Sequence, residues 1–219
     1  LRVLACFISL LILPVLYIIE PFYKIRITPL HTARIGHMAM NTQRYVCARN
    51  LDGPEPKTFR IIFGAKPCNR QLMKMWQQQV QIFDNILLTA FYHYAYPILG
   101  NTVFFDTLEG EMYHFREMDQ PAPLLSFSND EESKGKHLLE EMGIGGVPWF
   151  VCFFARDGGY HANRGFQDVK HHRNTNIETY LKAAENIVKS GGAAVRLGAG
   201  VERALPDGLH PHIVDYAFN

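Results

Sequence analysis

The sequence predicts an α/β fold preceded by a hydrophobic helix, and three observations carry that prediction. Residues 3–19 are an apolar run without charge. Residues 59–80 read as strand, turn and helix. Residues 148–197 read as strand, loop, helix and strand, the unit of a right-handed crossover in a parallel sheet.

The amino-terminal run, VLACFISLLILPVLYII, would make about 25 Å of helix, just short of a ~30 Å hydrocarbon core. Pro14 is expected to kink it. Tyr17, Phe22 and Tyr23 stand where an interfacial aromatic belt would lie. A signal peptide needs a small-residue cleavage site, and the bulky IIEPFYKIR offers none. A buried core helix and a membrane anchor, spanning or re-entrant, remain, and the anchor is preferred. Lys24, Arg26 and Arg34 after the run favour a cytoplasmic globular part at the inner membrane.

Further along, residues 23–28 (YKIRIT) alternate as a strand does, and 38–48 have helical spacing. Gly53-Pro54-Glu55-Pro56 breaks the chain. FRIIF (59–63) is a short buried strand, and Asn69 is placed to cap a helix from Arg70 to about Val80. Residues 81–88 and 91–99 are apolar and aromatic, helical or mixed, and 103–106 are a candidate strand. Residues 109–123 are polar and irregular, as a crossing between domains would be. The expected division is 1–27 as the membrane-associating segment, 28–123 as a first domain and 124–219 as the opening of a second. Ser128-Asn129-Asp130-Glu131 is a capping box that opens a helix closed by Gly143. PWFVCFF (148–154) reads as a central parallel strand, 177–188 as a helix and 193–197 as the next strand. One crossover unit cannot cover both faces of a sheet, and the chain starts without Met, so the sequence reads as a piece of a longer protein.

Composition narrows the function. Lys and Arg number 22 against 21 Asp and Glu, so no basic excess points to nucleic acid. The four cysteines are scattered and form no CxxC pair, which suits reduced, buried thiols. Neither a Walker A, a GxGxxG nor a GxSxG motif occurs, and the absence of DxD gives no sign of a metal-bound sugar nucleotide. His171-His172 lacks the carboxylate or thiolate spacing that would complete a metal site, so no metal is expected.

The strongest candidate site is 153–160, FFARDGGY, at the carboxyl end of a strand, where open α/β sheets bind ligands. Arg156 suits a diphosphate because its planar fork makes bidentate, charge-assisted bonds. Asp157 could orient that Arg or meet a sugar hydroxyl; alternatively the two form a surface pair on an ordinary turn. A second candidate is Arg34, Gly36 and His37 with Asn41, an anion or acceptor site at a helix start with His37 as a base, or a plain helix-start loop. The turn around Asn69 is a third, although Asn there is more often a cap than a ligand. Arg173 and Asn174 could contact a sugar, and Arg196, ending the next strand, could share a cleft with Arg156.

Taken in order and spacing, RIGH (34–37) with Asn41-Thr42, PCNRQLMKMW (67–76), FFARDGGY (153–160), Arg173-Asn174 with IETYL (177–181), and VRLG (195–198) resemble a bacterial family of glycosyltransferases. That family is associated with surface-polysaccharide synthesis and is distantly similar to fucosyltransferase-type GT-B enzymes. The resemblance runs from about Pro21 onward. It implies two Rossmann-like domains facing a cleft, an acceptor on the first and a nucleotide-sugar on the second, with no cofactor. Arg156 would hold the departing diphosphate, Arg34, Gly36 and His37 would line the cleft, and Asn69, Asp157, Tyr160, Arg173, Asn174 and Arg196 would bind substrate. Phe154 stands where the family strand usually carries a His, two places before the Arg. The expected activity is therefore metal-independent sugar transfer to a glycan or lipid-linked acceptor. The alternative is a non-catalytic, membrane-anchored binding or scaffold relative in polysaccharide assembly.

Overall fold

A computed structural model of the chain describes residues 2–53, 55–106, 124–163 and 171–218. They belong to two units, Leu1–Ser126 and Phe127–Asn219. The expected crossing segment 109–123 lies outside the described residues.

The first unit is a mixed α/β layer. Its order is α1 (Arg2–Ile19), β1 (Lys24–Pro29), α2 (Ile35–Asp52), β2 (Thr58–Gly64), α3 (Arg70–Gln79), β3 (Ile82–Asp84) and α4 (Ile86–Leu99). The strands pair in parallel in the order β1-β2-β3. Residues 103–106, a candidate strand, add only a parallel bridge between Ile27 and Phe105 at the other edge of β1. The helical assignment of α1 continues through Pro14. The apolar segment is not separate from the fold: α1 packs along α4, and Lys24–Pro29 is a strand of the sheet.

Local chemistry sets the helix starts. Asn69 and Asn85 both have extended backbones and accept from the first-turn amides of α3 and α4. α2 begins at Ile35, three residues before the position its apolar spacing indicates, and its N-cap Arg34 makes no side-chain cap bond. The core joins Met38 and Val46 of α2, Ile62 of β2, Met73 and Trp76 of α3, and Ile82 of β3. Arg26 and Arg60 are partners in register on neighbouring strands, so their charges need compensation. Glu20 takes Arg26 bidentately at 2.8 and 3.0 Å, while Arg60 pairs with Glu55 and Asp106. Burial alone would pull the Arg60 pKa down; the bonds to Asp106 and Glu55 outweigh it and raise it.

The second unit contains α5 (Asn129–Glu141), β4 (Phe150–Phe153), α6 (Gly159–Ala162), 3₁₀ turns at His171–Arg173 and Ile177–Tyr180, α7 (Leu181–Lys189), β5 (Ala193–Arg196) and β6 (Ile213–Val214). Its strands are parallel in the order β4-β5-β6. The capping box at Ser128 and Glu131 is complete, with both reciprocal bonds formed. The helix expected over 177–188 starts as a 3₁₀ turn capped by Asn176 and becomes α-helical at Leu181.

β5 is the centre of this sheet, and its side chains alternate between two clusters. Ala194 faces Ile177, Ala184, Leu205 and Ile213; Ala193 and Val195 face Ile144 and Val214. This corrects the central position expected for PWFVCFF. β4 is an edge strand among the described residues, and three of its four residues are exposed. An apolar run reports affinity for a core; it does not report which neighbour takes the middle. The small Ala193 and Ala194 are fully buried there instead. No disulfide joins the four cysteines; only Cys47 is buried, and Cys152 on β4 is exposed.

Candidate functional site

In the second unit, β4 delivers FFARDGGY to the carboxyl end of the sheet, where the chain leaves β4 and turns into α6. Arg156 is half-buried and donates from Nη1 to Asn174 Oδ1 at 2.5 Å. Its carbonyl accepts from Thr175 N at 2.8 Å, so one residue is tied to the 174–176 loop by both backbone and side chain. Asp157 works in the opposite direction. Its carboxylate accepts from Gly159 N at 3.1 Å and from Glu202 N at 3.1 Å, while Gly158 N donates to Glu202 Oε1 at 2.9 Å. Two loops that follow neighbouring strands are thereby clamped together.

Gly159 makes the clamp possible. A Cβ there would sit 2.2 Å from the Gly200 carbonyl oxygen and 2.8 Å from Glu202 N. Both obstacles are backbone, so the close approach needs glycine.

A cavity of about 230 Å³ opens between these loops, lined by Asp157, Asn174, Thr175, Asn176, Ile177, Glu202 and Arg203. Asn174, Asn176, Thr175 and the carboxylates of Asp157 and Glu202 give it acceptors and amides suited to hydroxyl groups. Arg203 supplies positive charge to its lining, and Arg156 reaches it only through its bond to Asn174. Arg203 has Glu178 at 3.9 Å, both of them solvent-exposed. Arg173 is exposed beside Asn174, and Tyr160 is half-buried on α6.

Arg196 is placed elsewhere than in a cleft with Arg156. It is 1% exposed, and its Nη1 donates to the Arg203 carbonyl at 2.8 Å and to both oxygens of Asp215 at 3.1 and 3.3 Å. Asp215 also accepts from Leu205 N at 2.7 Å. The guanidinium thus anchors the loop that carries Glu202 and Arg203, and the correction follows from burial beside a carboxylate. Phe154, at the strand tip, is 67% exposed. Glu202, Arg203 and Asn176 are the site residues that sequence reasoning missed. The available signal was their position: Glu202 and Arg203 follow β5 just beyond Gly198 and Gly200, and Asn176 precedes a helix start.

In the first unit, the turns after β1 and β2 lie side by side. Thr32 Oγ1 donates to the Ala65 carbonyl at 2.6 Å, and Cys68 N donates to the Thr32 carbonyl at 2.9 Å. Arg34, Gly36 and His37 are exposed at the start of α2, with the His37 ring 5.6 Å from that of His31; Asn41, one turn on, is half-buried. Asn69 Oδ1 is engaged by Leu72 N at 2.8 Å and acts as a cap. Both turns occupy the carboxyl ends of their strands, the ligand end of an open α/β sheet.

A cavity of about 580 Å³ in this unit lies at the opposite end, near the amino end of β2 and the carboxyl ends of α2 and α3. Helix carboxyl ends carry partial negative charge and disfavour phosphates. None of the candidate residues lines it. Among the described residues, no group of three or more His, Cys, Asp or Glu side chains converges to hold a metal.

No family model matches the chain. No curated protein and no solved structure matches it either.

Proposed function

We propose that the chain belongs to a membrane-associated glycosyltransferase that moves a sugar from a nucleotide-sugar to a glycan or lipid-linked acceptor. The observation that carries this reading is the Arg156 tip: a half-buried guanidinium, oriented by Asn174, beside a small polar cavity at the carboxyl end of a parallel sheet. In the reaction, an acceptor hydroxyl forms a bond to the anomeric carbon while the bond from that carbon to the diphosphate oxygen breaks. Arg156 offsets the charge that develops on the departing diphosphate. Asn174, Asn176 and Asp157 meet hydroxyls of the donor. The hydroxyl proton passes to solvent, and the exposed Arg34–Gly36–His37 turn of the first unit is read by itself as a surface for an acceptor glycan. The globular part is cytoplasmic in this reading, with α1 at the inner membrane.

The test is release of nucleoside diphosphate from a panel of UDP-, GDP- and dTDP-linked sugars, with bacterial membrane extracts as acceptor. One donor should turn over, and Arg156→Ala should lower the rate by about 10²–10³-fold, as for loss of one oxyanion donor. Turnover of no donor, with binding of none, sinks the enzyme reading. Phe154 favours a second reading, since an exposed apolar ring at the strand tip supplies no proton. A non-catalytic relative would bind a donor and leave it intact.

A further inference from the structure

We infer that the first unit meets the bilayer through two helices lying side by side, α1 and α4, and not through α1 alone. The inference rests on the membrane association in the reading above and gives it a geometry.

α1 is long and apolar enough to cross a membrane, and only 17% of it is buried. Its buried positions, Ala5, Ser9 and Leu16, form one narrow stripe. That stripe lies on α4: Cys6 Sγ is 3.6 Å from the Tyr94 carbonyl, and just beyond the helix Phe104 meets the Tyr17 ring at 4.9 Å. Val3, Leu4, Phe7, Leu10, Leu11 and Val15 face outward.

α4 shares this character. Residues 85–105 contain no Asp, Glu, Lys or Arg, and the stretch is bracketed by Asp84 and Asp106. One side of α4 meets the sheet, with the Tyr92 ring 5.8 Å from Phe63, and Ala95 and Leu99 are buried. The other side leaves Ile86 and Leu87 exposed, the latter at 75%. With 14 residues, α4 is about 21 Å long, too short to cross a ~30 Å core.

These facts constrain each other. If α1 enters hydrocarbon while packed along α4, then α4 enters with it, and the sheet behind α4 comes down to the surface. If α1 crossed the membrane alone, it would leave α4 bare in water, with its Tyr94 and Phe104 neighbourhood uncovered. The occupant that fits is lipid: α1 has one charged residue, Arg2 at its start, and is apolar enough to cross a membrane, while α4 has no Asp, Glu, Lys or Arg and a single His, His93. Tyr17, Phe22, Tyr23 and Tyr96 are exposed at the ends of the pair, as interfacial aromatics are. The arrangement is monotopic: helices embedded along one face, with the sheet outside.

The test uses the full chain with vesicles of phosphatidylethanolamine and phosphatidylglycerol. Tryptophan is introduced by Leu10→Trp on α1, Leu87→Trp on α4, or Leu51→Trp at the far end of α2 as control, and quenching by brominated acyl chains is measured over the native background. Quenching at both 10 and 87 but not at 51 is expected. Leu87→Lys should weaken vesicle partition by about tenfold or more, with Leu51→Lys neutral. Quenching at 10 without 87 overturns the inference and leaves membrane association standing. Quenching at neither, or a concentration-dependent dimer that forms in place of vesicle binding, overturns both.

Discussion

Removing the Asp215 carboxylate should unfold the second unit at much lower urea, because that carboxylate holds the buried Arg196. In Asp215→Ala the guanidinium, 1% exposed, keeps only the Arg203 carbonyl among its named partners. Breaking a buried pair by deleting one member costs about 3–5 kcal/mol. Asp215 is itself 18% exposed, which argues for the lower end, about 3 kcal/mol. Leu205 N loses its acceptor in the same step, which works against that discount. With a urea slope of about 1.5 kcal/mol/M for a domain of this size, the midpoint should fall by about 2 M. Arg196→Met should cost less, since Asp215 stays partly hydrated and retains Leu205 N. Hydrogen exchange of the 193–214 amides, followed by mass spectrometry across a urea series, reads the second unit without interference from the first. A midpoint for Asp215→Ala within about 0.3 M of the parent protein would refute the reasoning. Arg196 would then be a residue kept for a ligand and not for its loop.

Three further outcomes are expected. Asn69→Ala should destabilise the first unit by about 1 kcal/mol through loss of the α3 cap, read by urea denaturation, while leaving donor binding unchanged. Gly159→Ala should displace the loop at 200–202, cost about 1–3 kcal/mol and abolish ligand binding at the Asp157 cavity, because the clashing atoms are backbone. The hydrogen bond from Arg26 holds the Glu20 carboxyl below its ordinary 4.5, so the pair's contribution is full above that pH and is lost as pH falls through the folded value. Glu20→Gln should therefore lower the urea midpoint at neutral pH, and the difference from the parent should vanish in strong acid. A gap that persists on acidification contradicts the assignment.

The features legible in the sequence were those decided within a few residues. Asn69 before an apolar helical face and Ser128 three places before Glu131 announce their helices because a cap is a local bond. The parallel arrangement followed from strand and helix alternating, and the carboxyl-end loop with Asp157 and Asn174 followed from strand polarity. What was not legible depends on distant partners. Arg196 reads as a free cation at a strand end until Asp215, 19 residues away, is seen beside it. β6 is only Ile213 and Val214, too short to show a period. PWFVCFF is apolar enough for a central strand, yet its place is decided by the small residues of β5. The apolar run at 3–19 looked self-contained, and only its packing on 86–99 ties it to the sheet.

The most direct test of the account is calorimetric titration of nucleoside diphosphates and nucleotide-sugars into the full chain and into Arg156→Ala. The account predicts saturable binding of one nucleotide class, weakened by about tenfold or more when the guanidinium is removed, consistent with loss of a charge-assisted bond worth about 1.5–3 kcal/mol. Binding that is absent, or that is the same in both proteins, would contradict the claim that the tip of β4 grips a diphosphate.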